Sequence, residues 1–195
     1  TGTSQWTTYY SADSSSYLPE LIITYTGSTS TPTSSVNLSV PYYPQETTYT
    51  CGAASLRMVL AYYGDVRTET DVINLAHAVT GDWYGYKYQS QHYAILNQAL
   101  SSVTHSYHSF TSSSLSDAQF TNKVYSNLSN NHPIIVLVNW QSDRTYFPYA
   151  TEGHFLVIKG IGTDGKITIY DPYSNYAGTP TVTLPASTLK TYAIG

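Results

Sequence analysis

Gln45-Glu-Thr-Thr-Tyr-Thr-Cys51-Gly-Ala-Ala-Ser-Leu-Arg-Met-Val-Leu-Ala-Tyr-Tyr-Gly64 joins a polar loop to an amphipathic helix at the only cysteine in the chain. Ala53, Leu56, Val59, Leu60 and Tyr63 recur at helical spacing, and Gly64 is a natural stop, so a helix is expected from about Cys51 to Tyr63. A single thiol forms no internal disulfide and no multi-cysteine metal cage. At a helix N-terminus, however, the partial positive charge of the backbone favours thiolate over thiol, and the thiolate is the nucleophile. The competing interpretation is a buried cysteine acting as a small hydrophobe.

Downstream, the chain turns from helical to strand periodicity. Thr68-Glu-Thr-Asp71 has the form of a capping box opening a second helix, with Val72, Leu75, Ala76 and Val79 facing inward. A third, short helix is expected over residues 93–101. Ser116-Asp-Ala-Gln119 caps a fourth, whose Phe120, Val124 and Leu128 form a stripe before Pro133. Residues 133–140, 155–160, 166–171 and 181–184 are rich in β-branched side chains and read as strands. Helices followed by strands indicate an α+β fold with an antiparallel sheet.

Upstream, residues 36–44 are expected to be extended, and residues 28–35 are a Ser/Thr stretch that reads as a linker. Residues 18–26 suggest one strand, which cannot fold alone. Two parts follow: residues 1–35, a strand segment and linker left from an upstream module or prosegment, and residues 36–195, the main domain.

Charged residues make up only 10% of the 195, and 21 are tyrosine. A net charge of −4 offers no basic footprint for nucleic acid or an anionic membrane. No apolar run reaches membrane-spanning length, no N-terminal segment resembles a signal peptide, and a start at Thr1-Gly-Thr without methionine leads to the expectation of a processed or trimmed chain. The hydroxyl-rich, lysine-poor composition points to a secreted protein, here taken to be a monomer. A free thiol outside the cell is an oxidation liability, which suggests that it is retained for use.

Gly160-Ile-Gly-Thr-Asp-Gly165 matches G-x-G-x-x-G, but a strand follows where a dinucleotide site needs a helix. The glycines are therefore expected to serve a hairpin, and no cofactor is called for. A six-residue loop over 160–165 sets His154 directly opposite Asp171, on one face of the sheet. A tight turn at Asp164-Gly165 sets Ile158 opposite Asp171 instead; the wider loop is preferred. Taken singly, His154 reads as a strand-edge histidine and Asp171 as a turn former before Pro172. Gln45 is either a solvated amide or a donor to the oxygen that becomes negative when Cys51 attacks a carbonyl, with the Cys51 N–H as second donor. His77, His132, His105 and His108 read as structural or surface residues, and His105-Ser-Tyr-His108 is too thin for a metal site.

The segment from Gln45 to Gly64 resembles the active-site segment of papain-fold cysteine peptidases, in particular the branch related to bacteriocin-leader (double-glycine) peptidases. Gly153-His-Phe-Leu-Val-Ile-Lys-Gly-Ile and Ile169-Tyr-Asp-Pro172 are similar to that branch's histidine and Asp-Pro strands. The resemblance covers most of residues 36–195. It implies a papain-like fold and a peptide or protein substrate, with Cys51 as nucleophile, His154 as acid/base, Asp171 as orienter and Gln45 in the oxyanion hole. Soluble secreted relatives are the better comparison, since nothing membrane-spanning accompanies the domain here. Trp83 and Trp140 are candidates to wall the substrate cleft, against a plain reading as surface aromatics. Two rival functions remain: an amidase or transpeptidase on the same machinery, and a non-catalytic module binding glycan or cell wall.

Overall fold

The computed structural model describes residues 32–81, 89–100, 112–139, 153–173 and 180–193. The postulated N-terminal strand, Trp83, Trp140, His105 and His108 lie outside them. In chain order the elements are β1 (Val36–Asn37), α1 (Cys51–Tyr62), α2 (Glu69–Thr80), α3 (Gln89–Ala99), α4 (Asp117–Ser129), β2 (Ile134–Asn139), β3 (Gly153–Ile161), β4 (Lys166–Tyr170), β5 (Thr181–Pro185) and α5 (Ala186–Tyr192). This is the α+β arrangement expected from the order of helical and strand patterns.

The helix starts obey local chemistry. Thr68 and Asp71 exchange side-chain and backbone hydrogen bonds in a capping box, and Ser116 and Gln119 do the same. α3 begins four residues earlier than expected, at Gln89. Along α1 every residue from Gly52 to Ala61 except Arg57 is buried, so this helix is enclosed rather than one-sided. Val72 and Ala76 of α2 and Phe120, Val124 and Leu128 of α4 complete the helical side of the core. Leu75 and Val79 are only partly buried against it.

β3 organises the antiparallel five-stranded sheet. β2 pairs with it from Ile134↔Ile158 to Asn139↔Gly153, and β1 continues along the same edge with Val36↔Ile161 and Asn37↔Gly160. β4 lies on the other edge, and β5 pairs with β4. Both α1 and α4 pack on β3, which is buried from His154 to Ile161. That accounts for a strand that reads as a continuous apolar run.

Neither expected hairpin register is the observed one. The loop covers only residues 162–165, closed by Gly162 N–H to Lys166 O (2.8 Å), with Gly165 at φ +74°. Ile161 pairs with Ile167 and Gly160 with Thr168, but Ile158 pairs with Ile169, so Lys159 is an extra residue in β3. Continuing the Gly160↔Thr168 register would set Asp171 against Val157, on the opposite face from His154. The bulge shifts it into line with Leu156, two residues from His154 on the same face. Diagonal neighbours of this kind lie roughly 7–8 Å apart, within reach of an imidazole and a carboxylate. The expected shared face is therefore realised, by a bulge rather than by a wide loop.

The bulge is held from β1. Lys159 Nζ donates to Asn37 Oδ1 (2.7 Å), and Leu38 N–H donates to Lys159 O (2.8 Å). A Cβ on Gly160 would meet Val36 O at 3.0 Å, Asn37 Oδ1 at 3.1 Å and Thr168 Cβ at 3.3 Å. Gly160→Val is therefore expected to lower stability by about 2 kcal/mol through overpacking. Urea denaturation checks this, and an unchanged midpoint would show that β1 does not clamp the bulge.

Candidate active site

The site is assembled around the C-terminal end of β4. After β1 the chain runs extended to Gln45, whose backbone N–H donates to Pro172 O (2.9 Å). On the way the Tyr42 hydroxyl donates to Asp171 O (2.9 Å), and the Tyr42 ring meets Tyr170 edge-on at 5.1 Å. Residues 46–50 then turn into α1, which places Cys51 at its first position.

His154 Nε2 and Asp171 Oδ1 are 2.8 Å apart. The two residues are 7% and 0% exposed, so this is a buried pair. Oδ1 also accepts the Tyr173 N–H at 2.8 Å, which fixes the Asp-Pro turn. Oδ2 is buried with no hydrogen-bond partner among the described residues. Engaging Nε2 in this way leaves Nδ1 as the ring nitrogen for chemistry.

Cys51 is partly exposed and free of any disulfide. The main chains of Phe155, the residue that follows His154, and of Gly52 and Cys51 act on its sulfur in favour of the thiolate. Asp171 is near enough to act on it through its charge. The nucleophile candidate and the histidine strand are thus in contact. His92 of α3 packs on Phe155, with ring centroids 4.1 Å apart, and closes that side.

Burial dominates the electrostatics. It pushes the Cys51 thiol above its ordinary pKa, against the lowering effect of those three main chains. It pushes His154 down to about 4 and Asp171 up to about 7, the latter opposed by the Tyr173 N–H. A carboxylate with one oxygen bare in a dry site is costly, which explains the direction for Asp171. These shifts correct the expectation of a resting thiolate: the helix N-terminus acts as foreseen, but desolvation outweighs it. At rest the site holds a thiol beside a neutral imidazole.

Gln45 is 6% exposed, so the solvated-amide reading does not hold. Its Nε2 donates to Thr47 O at 2.6 Å, and its Oε1 has no partner among the described residues. An amide NH₂ carries two donors, so one N–H remains for another acceptor. Among the described residues, no cluster of three or more His, Cys, Asp or Glu is arranged to hold a metal ion. The Phe155 N–H and the His92 cover were not foreseen. A backbone donor leaves no residue-type signal, and a helical histidine reads like any other.

The model of the Peptidase_C39 like family matches residues 37–193. No curated protein matches the chain. The crystal structure of a protein from Bacillus anthracis described as a C39-like peptidase superposes with a TM-score of 0.54 at 16% identity, covering 82% of this chain and 96% of that one. The peptidase domain of Streptococcus ComA, a bi-functional ABC transporter involved in a quorum-sensing pathway, gives 0.50 at 17% identity, with 77% and 90% covered. At these identities the two structures speak for the fold.

The His154–Asp171 pair has a calculable effect on acid stability. Between about pH 4 and 6.5 the unfolded pair carries one proton, on the imidazole. The folded pair, hydrogen-bonded at 2.8 Å, also holds one proton between its two members there, because burial lowers His154 and raises Asp171. The two contributions cancel, and the pair adds no pH slope in that window. Asp171→Asn leaves only the depressed His154, whose contribution is complete above the unfolded value and is lost as the pH falls towards 4. The stability gap between wild type and variant is expected to widen on acidification by up to about 1.4 kcal/mol per pH unit. Urea denaturation at about pH 6.5 and 4.5 measures it, and an equal gap at both would contradict the assignment.

Proposed function

Because the chain belongs to the Peptidase_C39-like family and is a cysteine peptidase, we propose that it is secreted and hydrolyses peptide bonds through a thioester on Cys51, with His154, Asp171 and Gln45 as its machinery. The observation that carries this reading is the buried 2.8 Å His154–Asp171 pair, near enough to Cys51 for the Asp171 charge to act on its thiol. Each residue then has one task. His154 Nδ1 takes the proton from the Cys51 thiol as the sulfur attacks the carbonyl carbon, so charge is created only as the reaction proceeds. Asp171 Oδ1 holds the ring through Nε2 and stabilises the imidazolium as it forms. The oxygen that becomes negative is received by the Cys51 main-chain N–H and the second N–H of Gln45.

His154 next protonates the departing amine, leaving the acyl group on sulfur. Water, deprotonated by the same imidazole, attacks the thioester and regenerates the thiol. An extracellular setting is supported by the low charge content and hydroxyl-rich composition. Cleavage after a double-glycine leader is not part of the proposal.

Cys51→Ala is expected to abolish hydrolysis of casein or of a peptide library read by mass spectrometry. Gln45→Ala is expected to lower kcat by about 100-fold with KM nearly unchanged, the usual effect of losing one oxyanion donor. Hydrolysis persisting at the wild-type rate in Cys51→Ala would end the thioester mechanism.

A further inference from the structure

Glu69 is a buried acid that this mechanism leaves unused. It is 1% exposed at the first position of α2, where an acid ordinarily sits in solvent. It is not needed as a cap, since Thr68 and Asp71 already form the capping box. Its carboxylate instead faces the loop leading to the nucleophile. Both oxygens lie 3.2 Å from the Glu46 backbone N–H, which anchors the start of that loop. The charged groups acting on it are Arg57 of α1 and the Glu46 side chain, which pair with each other at 3.4 Å. Burial raises its pKa, and the Thr50 side chain and the Glu46 N–H oppose that.

Thr50 closes the same loop at its far end. It stands at the N-cap of α1, yet its side chain makes no capping hydrogen bond. Its Oγ1 lies 3.1 Å from Thr47 Oγ1, accepts the Thr47 N–H at 3.2 Å and faces Thr47 O at 3.4 Å. Thr47 O is the acceptor that holds Gln45 Nε2 at 2.6 Å. Residues 46–49 are exposed and adopt no helix or strand. An oxyanion donor must sit within hydrogen-bond reach of one point in space, and a loop free to shift loses that reach.

We propose that Glu69 is a positioning residue, a buried anchor that holds residues 46–50 so that the Gln45 amide stays aimed at the developing oxyanion. The inference rests on the reading of Cys51 and Gln45 above. Glu69 touches neither substrate nor reacting atoms in this scheme and acts through the Glu46 N–H on the loop that Thr50 closes on Thr47.

Glu69→Gln keeps the shape but removes the charge and one acceptor. It is expected to lower kcat by about 10-fold with KM within about 2-fold, as for an interaction used only in the transition state. In a Gln45→Ala background the same change is expected to add almost nothing, because the group it positions is gone. Thr50→Val, which removes the hydroxyl that closes the loop on Thr47 without removing a helix cap, is expected to behave alike; it carries the test of the loop if Glu69→Gln fails to fold by circular dichroism. Wild-type kcat in a folded Glu69→Gln and in Thr50→Val, or full multiplication of their losses with Gln45→Ala, would overturn the role of Glu69 alone. A wild-type protein that hydrolyses no peptide would overturn the reaction, and the anchor's purpose with it.

Discussion

One extra residue in a strand decides which side chains can meet. Side chains alternate across a sheet, so a histidine and an aspartate on paired strands share a face only if the register has the right parity. Lys159 supplies that parity by bulging out of the β3–β4 ladder. The bulge is held by Asn37 and the Leu38 N–H from β1, and the same stretch of chain continues to Gln45 and Pro172. The segment that holds the register therefore also delivers the amide assigned to the oxyanion. The sheet, the nucleophile helix and the loop between them depend on one local irregularity.

Dryness sets the character of the chemistry. α1 is enclosed, β3 is covered, and the histidine and aspartate are buried. Under those conditions separated charges are disfavoured, and the resting site keeps the thiol protonated and the imidazole neutral. Preorganised main-chain N–H groups around the sulfur partly offset this cost. Because such dipoles need not reorganise as charge develops, they favour the reacting state more than the resting one.

Much of this was legible in the sequence. The stripe Ala53, Leu56, Val59 and Leu60, the capping residues Thr68 and Ser116, and the β-branched runs reflect local rules, and the elements follow them. The pairing of His154 with Asp171 was legible as chemically apt residues in apt local settings. The hairpin register was not. A bulge at Lys159 depends on contacts from β1, more than a hundred residues earlier, and no local signal near Gly160 announces it. The ionisation of Cys51 was misjudged for a related reason. A helix N-terminus is visible in sequence, whereas desolvation depends on what packs over it. Glu69 escaped notice because an acid in a first helical turn normally needs no further explanation.

The central claim is that His154 rests as a neutral imidazole with its proton on Nε2, shared with Asp171, and with an unprotonated Nδ1 as the base for the thiol of Cys51. Nitrogen-15 NMR of histidine-labelled protein, with His154 assigned by substitution, reads both ring nitrogens directly. A protonated Nε2 and an unprotonated Nδ1, unchanged from neutral pH down to about 5, is the expected result, since His154 titrates only near about 4. An imidazolium at neutral pH, or a proton on Nδ1 in its place, would contradict the account.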